Sequence, residues 1–527
     1  MSCPVVWADH TLRCRDGTEL VARVWQPDAE QRWPVLLMRQ PYGRAIASTP
    51  TYAHPSWYAA QGFVVVVQDV RGCGDSGGVF RGFAQEASDS AETVLWARTL
   101  PASNGRLGCY GFSYQGLTQL LNRDPLQRPE ALPDALAPAM CGLDPGLHWS
   151  TSGGAHWWVL GLAWGLQLAA LQCRRRGDQL GWGRIRRSLS SQAFVDDGLE
   201  LLEQLDPDSM VLTWLRQDPQ AAASRFDADV DPRLWQRPML LIGGWYDPHL
   251  DGILELLQRA ASAGAVPWLR IGAWTHLNWH EGVDRLQVAF FNHHLKDRPV
   301  AAPAQLLQDQ LTQQWMPPAL LTRTPQQWWL RSEGLATAAG GDGELDAEGP
   351  AGGTVVVVHD PWRPVPGNGG HLGLDAGPCD RSVLDQRRDV ATFTGAVLRQ
   401  PLLLSGKPLI DLVAQADQEG FDLCIALSRV RADGAVDQLS TGVLRCLGPG
   451  CRQPLQRQVV LQAIVATLQP GERLRLSIAL AAWPQITVNP GTGEQGLGGV
   501  GPQHTVISVT LTLETACLCI RPLFGAN

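Results

Sequence analysis

The chain has 527 residues, 45% apolar and 18% charged, which is enough for two or three hydrophobic cores and excludes a disordered protein. A formal charge of −8 argues against a general nucleic-acid binder. The 21 Trp outnumber 11 Phe and 6 Tyr together, an excess that fits either core packing or an aromatic-lined pocket.

No run of about 18 apolar residues occurs, so no membrane span is expected. Met1-Ser2-Cys3-Pro4 lacks the basic and apolar regions of a secretory signal. The 12 Cys are scattered; Cys446/Cys451 and Cys517/Cys519 read as free buried thiols of a cytoplasmic protein.

Residues 11–25 read as a hairpin turning at Asp16-Gly17. The apolar run Val35–Met38 ends in Arg39-Gln40-Pro41-Tyr42-Gly43, and Phe63–Val67 leads into Gln68-Asp69-Val70-Arg71-Gly72. A helix is predicted over 88–100, then a strand over 107–110 that enters Gly111-Phe112-Ser113-Tyr114-Gln115-Gly116. Short apolar runs alternating with helical patterns indicate α/β with a mainly parallel sheet. From 142 to 234 the periodicity turns helical, with six Trp (149, 157, 158, 164, 182, 214) and the basic stretch Arg174–Arg187, and reads as an inserted cap. That Arg cluster reads as a solvated helix face.

The α/β pattern resumes at 238–242, running into Gly243-Gly244-Trp245-Tyr246-Asp247, and a strand over 267–271 ends in Gly272-Ala273-Trp274-Thr275-His276. Residues 334–353 are rich in Gly and Ala and read as a connection, and beyond them only strand-like runs occur. The division expected is 1–141 with 235–332 as an α/β-hydrolase sheet, 142–234 as a helical cap, 333–353 as a linker and 354–527 as an all-β jelly roll.

Gly111-Phe112-Ser113 after a buried strand and before a helix has the form of a nucleophile elbow, although Gln115 stands where the general pattern has its second Gly. A serine hydroxyl needs an imidazole base and a carboxylate to orient that base. Asp247 and His276 each follow a strand, in the order Ser…Asp…His that an α/β-hydrolase requires. His276, His280 and His293-His294 do not form a metal set, because no Cys or acid completes it.

With these motifs in place the chain resembles the cocaine-esterase-like, or X-Pro dipeptidyl-peptidase-like, serine hydrolases, which include α-amino-acid ester hydrolases. Gly111–Gly116 matches that family's G-x-S-Y-x-G elbow, and Asp69-Val70-Arg71-Gly72 with Gly74, Ser76 and Gly78 matches its D-x-R-G-x-G-x-S-x-G segment. Gly244–Asp247 and Trp274–His276 match its acid and base motifs. Arg431–Gly434 with Gly442 and Leu444-Arg445, and Trp483-Pro484 with Asn489–Gly493, resemble its C-terminal signatures.

The resemblance implies Ser113 as nucleophile, His276 as base, Asp247 as orienting acid, and an oxyanion hole from the Tyr42 hydroxyl and the Tyr114 backbone N–H. The family's amino-acid ester hydrolases place acids shortly after the catalytic Asp, where this chain has Pro248, His249 and Leu250. Amino-acyl substrates are therefore disfavoured unless Asp251 or a cap acid substitutes.

The function expected is carboxylic-ester hydrolysis through an acyl-enzyme. The alternatives are X-Pro dipeptidyl-peptidase or amide-acylase activity, and a catalytically inert carbohydrate-binding protein. Trp149, Trp157, Trp158 and Trp164 are the candidate substrate-binding residues. The partner expected is a small-molecule ester or amide, with no cofactor, metal, nucleic acid or membrane; the oligomeric state, a homodimer included, is open.

Overall fold

The computed structural model describes residues 4–46, 51–219, 229–279, 282–300, 305–321, 324–350 and 352–524. Its first sheet has ten strands. In chain order they are β1 (Val5–Arg13), β2 (Glu19–Pro27), β3 (Trp33–Gln40), β4 (Val64–Asp69), β5 (Ser103–Phe112) and β6 (Ala135–Ala139). After a two-residue hairpin, β7 (Thr151–Ser152) and β8 (Ala155–His156), the sheet continues with β9 (Leu240–Tyr246), β10 (Trp268–Thr275), β11 (Leu306–Gln308) and β12 (Trp315–Met316).

The spatial order is β1-β2-β4-β3-β5-β6-β9-β10-β11-β12. Strands β4 to β11 pair in parallel, and the antiparallel pairs lie at the two edges. The central strands are buried on both faces, as the unbroken Val64–Val67 run requires. Helices α1 (Pro55–Ala60), α2 (Glu86–Arg98), α3 (Tyr114–Leu117), α8 (Leu250–Ser262) and α9 (Val283–Lys296) belong to this α/β part, and separate apolar clusters pack on its two faces.

Between β6 and β9 the chain leaves the sheet through a π-helical turn at Gly146–Ser150, the β7–β8 hairpin and, among the described residues, four α-helices. These are α4 (Trp158–Arg175), α5 (Gln179–Ser191), α6 (Phe194–Leu205) and α7 (Met210–Leu215). Helix α4 carries two apolar stripes. Leu162, Leu166, Ala169 and Cys173 recur at helical spacing and form the core of the helical bundle with Phe194, Leu202 and Val211. The other stripe faces the sheet and is taken up below. Arg175 ties α4 to the sheet by donating to the carbonyls of Gly74 (2.5 Å) and Ser76 (2.6 Å), so this part of the Arg cluster is a clamp and not only a solvated face.

The C-terminal part is all-β, compatible with the jelly roll expected. Its strands are β13 (Gln326–Arg331), β14 (Glu344–Asp346), β15 (Thr354–His359), β16 (Val390–Gly395), β17 (Leu402–Ala416) and β18 (Gly420–Val430). They continue with β19 (Val436–Leu447), β20 (Leu455–Val460), β21 (Ile464–Leu468), β22 (Arg473–Ala479) and β23 (Ile507–Arg521). Nine of them pair in the order β19-β18-β22-β16-β14-β13-β23-β17-β20, with β15 added to β23 and β21 to β17, around one large apolar core.

Two expected boundaries differ from this topology. β13 pairs with β23, so residues 326–331 belong to the C-terminal sheet and not to the α/β part. The stretch 333–353 holds β14, which pairs with β13 and β16 and buries Leu345, so it is not a free connection. A three-residue strand is too short to show alternation, and its Gly/Ala flanks hide it.

Two residues of the C-terminal signatures, Arg445 and Asn489, meet at one buried cluster. Asp422 on β18 lies opposite Arg445 on β19, and the guanidinium grips the carboxylate at 2.9 and 2.7 Å. Asn489 also donates to Asp422, at 2.9 Å, and Arg445 donates to Thr487. Both charges are buried, where an ion pair is tolerated only when its remaining hydrogen bonds are satisfied.

Candidate active site

Parallel strands place their carboxyl ends on one side of the sheet, and loops leaving that edge converge. Ser113 follows β5, Asp247 follows β9, His276 follows β10 and Tyr42 lies two residues past β3.

At Ser113 the backbone takes φ 57° and ψ −127°, a conformation held only where the surroundings over-determine it. The Ser113 N–H donates to the Ala139 carbonyl at 2.9 Å, and α3 begins at the next residue. Two glycines make this turn possible. A Cβ on Gly111 (φ 141°) would meet the Gln115 Cβ at 2.4 Å, and one on Gly116 would meet Cys141 Sγ at 2.8 Å and the Ala139 carbonyl oxygen at 2.9 Å. The second glycine stands three residues after the serine because that is where α3 presses on the end of β6 and on Cys141, two residues beyond it.

The Nδ1 of His276 and Oδ1 of Asp247 are 2.7 Å apart, and Asp247 is fully buried while His276 is partly open. A carboxylate accepts, so Nδ1 carries the hydrogen and Nε2 is left with its lone pair. The Asp247 loop is held from outside the α/β part: Gln462, between β20 and β21, donates through Nε2 to the carbonyls of Asp247 (2.6 Å) and Trp245 (3.2 Å).

Tyr42 and the elbow are tied to each other. Gln115 accepts from the Phe112 N–H (3.3 Å) and donates to Gln40 (2.7 Å), and Gln40 donates to the Gly43 carbonyl (3.0 Å). Asp69 binds the Arg44 guanidinium at 2.7 Å, and its carboxylate also takes the Arg44 N–H, which anchors the far side of the Tyr42 turn. The Tyr42 oxygen accepts from the Trp164 indole N–H at 3.1 Å. Since that indole only donates, the phenol hydrogen is free to serve another acceptor. Withdrawal from water pushes the Tyr42 hydroxyl up to about 12, so it stays protonated.

Tyr114 stands at the first helical position of α3, where a backbone N–H has no intrahelical acceptor. Its phenol donates to Glu86 at 2.7 Å, and Glu86 pairs with Arg39 at 2.8 Å, a buried anchor behind the elbow. Burial raises the Glu86 carboxyl, opposed by Arg39.

Ser113, His276, Tyr42, Gln40 and Gln115 all border one cavity of about 470 Å³. Its apolar wall is the second stripe of α4 (Leu160, Ala163, Trp164, Leu171), with Trp149, Trp157, Phe112, Leu277 and Leu374. Of the four Trp expected there, Trp149, Trp157 and Trp164 line it. Trp158 does not: it is buried in the helical bundle and its indole donates to the Val195 carbonyl at 3.0 Å. Trp157 is the last extended residue and Trp158 the first helical one, so the two neighbours point apart.

Sequence reading missed His249, His371, Gly373, Leu374 and Ala376, which also border the cavity. The last four come from the C-terminal part, and no local pattern announces that. The α4 stripe (160, 163, 164, 167, 171) was visible as helical spacing. Asp251, the acid considered as a substitute, pairs with Lys407 at 2.8 Å and borders a neighbouring cavity instead.

Asp247, His249 and His276 each offer a donor atom within 4.8 Å of the others, a group that includes the Asp–His pair already hydrogen-bonded to itself. His280 lies outside the described residues, and His293 and His294 are on α9, in ring contact with Trp268. The eleven described cysteines are free, and no described helix is long and apolar enough to cross a membrane.

Residues 16–278 match the family model of X-Pro dipeptidyl-peptidase (S15 family), and residues 301–510 match that of the X-Pro dipeptidyl-peptidase C-terminal non-catalytic domain. The chain belongs to the cocaine-esterase-like, X-Pro dipeptidyl-peptidase-like family. This member is accordingly a serine hydrolase. It is 26% identical over 538 residues to the cocaine esterase of Rhodococcus sp. (strain MB1 Bresler), covering 91% of each chain. Its fold is similar to an aminopeptidase from a marine sediment Thaumarchaeota archaeon (TM-score 0.76, 18% identity, 98% of this chain and 96% of that one). It is also similar to an α-amino acid ester hydrolase (TM-score 0.69, 18% identity, 99% and 97%) and to a CocE/NonD family hydrolase of Staphylococcus aureus (TM-score 0.71, 16% identity, 98% and 94%).

Proposed function

We propose that the chain hydrolyses carboxylic esters that are uncharged next to the reacting carbonyl and carry an aromatic or other apolar body. One observation carries this reading: among the described residues, the cavity bordered by Ser113 and His276 has no Asp, Glu, Lys or Arg on its wall. A dipeptidyl peptidase must capture a free N-terminal ammonium, and an amino-acid ester hydrolase a free α-ammonium. Either charge, moved out of water into this cavity, would find no carboxylate to pair with.

In the proposed reaction His276 Nε2 takes the Ser113 proton while Oγ attacks the ester carbonyl. The new oxyanion is stabilised by the Tyr42 O–H and the Tyr114 N–H, two donors fixed before the charge appears. His276 then gives its proton to the departing alkoxide, leaving an acyl-Ser113 and a free alcohol. A water, deprotonated by the same imidazole, attacks the acyl carbonyl; the acyl–Oγ bond breaks, the imidazolium returns the proton to Ser113 Oγ, and the carboxylic acid is released. Asp247 holds the tautomer throughout and stabilises the imidazolium.

X-Pro dipeptidyl-peptidase activity is the second reading, favoured by the family model matched over residues 16–278. Paired kinetics separate the two. The expected result is turnover of benzoyl and phenylacetyl p-nitrophenyl esters with kcat/KM at least about 100-fold above that of Gly-Pro p-nitroanilide; each tenfold step corresponds to about 1.4 kcal/mol. A higher value for the dipeptide amide would overturn the ester assignment.

A further inference from the structure

His249 sits against the catalytic base without belonging to it. Its ring centroid is 5.0 Å from that of His276, 4.4 Å from that of Trp149 and 5.7 Å from that of Trp157. The ring borders the catalytic cavity and is 5% exposed. It makes no capping bond to α8, whose N-cap position it occupies. Its Nδ1 lies 2.5 Å from the His148 carbonyl oxygen. A carbonyl can only accept, so Nδ1 carries the hydrogen and Nε2 is the ring's lone pair. Burial pushes the imidazole down to about 3, so it stays neutral wherever the enzyme works.

Gln167, exposed on α4, also borders the cavity, while the remaining amides and His371 are engaged. Gln40 and Gln115 bond each other, and His371 Nδ1 is engaged by Thr441 Oγ1 at 3.1 Å. A buried acceptor beside aromatic walls recognises a hydrogen-bond donor, and it penalises a substrate that leaves it unsatisfied.

We propose that His249 selects esters carrying a hydroxyl or amide N–H close to the reacting carbonyl. The inference rests on the ester-hydrolase reading of the same cavity and adds the chemistry of the preferred substrate. The donor can sit on the acyl or on the alcohol part of the ester, since His249 adjoins both the aromatic wall and the base that protonates the leaving group.

The test compares matched p-nitrophenyl esters of phenylacetic acid, mandelic acid and N-acetylphenylglycine, and the phenylacetyl monoesters of ethylene glycol and of propanol. The wild type should prefer at least one donor-bearing member of a matched pair by about 10-fold in kcat/KM, the scale of one well-placed hydrogen bond. His249→Phe should bring that ratio to about 1. His249→Gln, which keeps a donor for His148 and an acceptor for the cavity, should retain most of it. Each ratio is internal to one protein, so a general loss of activity does not disturb it.

Two results would overturn the proposal: a wild-type ratio near 1 in every pair, or equal loss of preference in His249→Phe and His249→Gln. Failure of the wild type to cleave even the plain phenylacetyl ester would instead overturn the ester reading beneath it.

Discussion

Gln462 offers a sharp test of how the acid is held. It is buried, and its amide supplies the donors to the backbone carbonyls of Asp247 at 2.6 Å and Trp245 at 3.2 Å. Gln462→Leu preserves bulk and removes both donors. A buried carbonyl stripped of its partner costs about 1–3 kcal/mol, and the loop relieves that cost by shifting toward another donor. Asp247 moves with it, and the 2.7 Å bond to His276 loosens.

If about 1.4 kcal/mol of the loss reaches the transition state, kcat falls about 10-fold. KM should hold within about twofold, because Gln462 borders the neighbouring cavity and not the catalytic one. Steady-state kinetics on phenylacetyl p-nitrophenyl ester from pH 5 to 9, with thermal unfolding alongside, reads all of this. A variant that melts earlier but keeps its kcat would leave Gln462 a purely structural contact and refute this reasoning.

Other consequences follow from single groups. Tyr42→Phe should lower kcat by about 10²-fold or more with little change in KM, the usual cost of one oxyanion donor; an unchanged kcat removes Tyr42 from that role. Gly116→Ala should destabilise the fold strongly in chemical denaturation, since the added Cβ meets Cys141 Sγ at 2.8 Å and a backbone oxygen at 2.9 Å; wild-type stability would contradict the packing of the elbow. Burial lowers His371 from 6.5 to about 4, so the fold keeps it neutral while the unfolded chain protonates it. Its share of stability is complete above pH 6.5 and is lost on acidification toward pH 4, at about 1.4 kcal/mol per pH unit. His371→Gln should flatten the pH dependence of unfolding by that amount between pH 6 and 4.5, and an unchanged slope would contradict it.

The sheet and its loops were legible because their signals are local. Val64–Val67 announces a strand buried on both faces, and Gly111 and Gly116 mark a turn that no larger residue could make. The strand-end positions of Ser113, Asp247 and His276 follow from the same short patterns. What escaped depends on contacts between distant segments. Gln462 lies 215 residues from the Asp247 carbonyl it holds, and His371 and Leu374 reach the cavity from the loop between β15 and β16. Trp158 was misplaced because one residue of backbone turning separates a cavity wall from a bundle core. The three-residue β14 vanished into its Gly/Ala flanks. His249 read only as the absence of an acid, and its tautomer became definable once the His148 carbonyl was found beside it.

The central claim is that Ser113 is the nucleophile. Treating the full chain with a fluorophosphonate and mapping the adduct by peptide mass spectrometry tests it most directly. A single stoichiometric adduct on Ser113 is expected, lost in Ser113→Ala while that variant unfolds like the wild type. An adduct on another serine that persists in Ser113→Ala, or an unlabelled wild type, would contradict it.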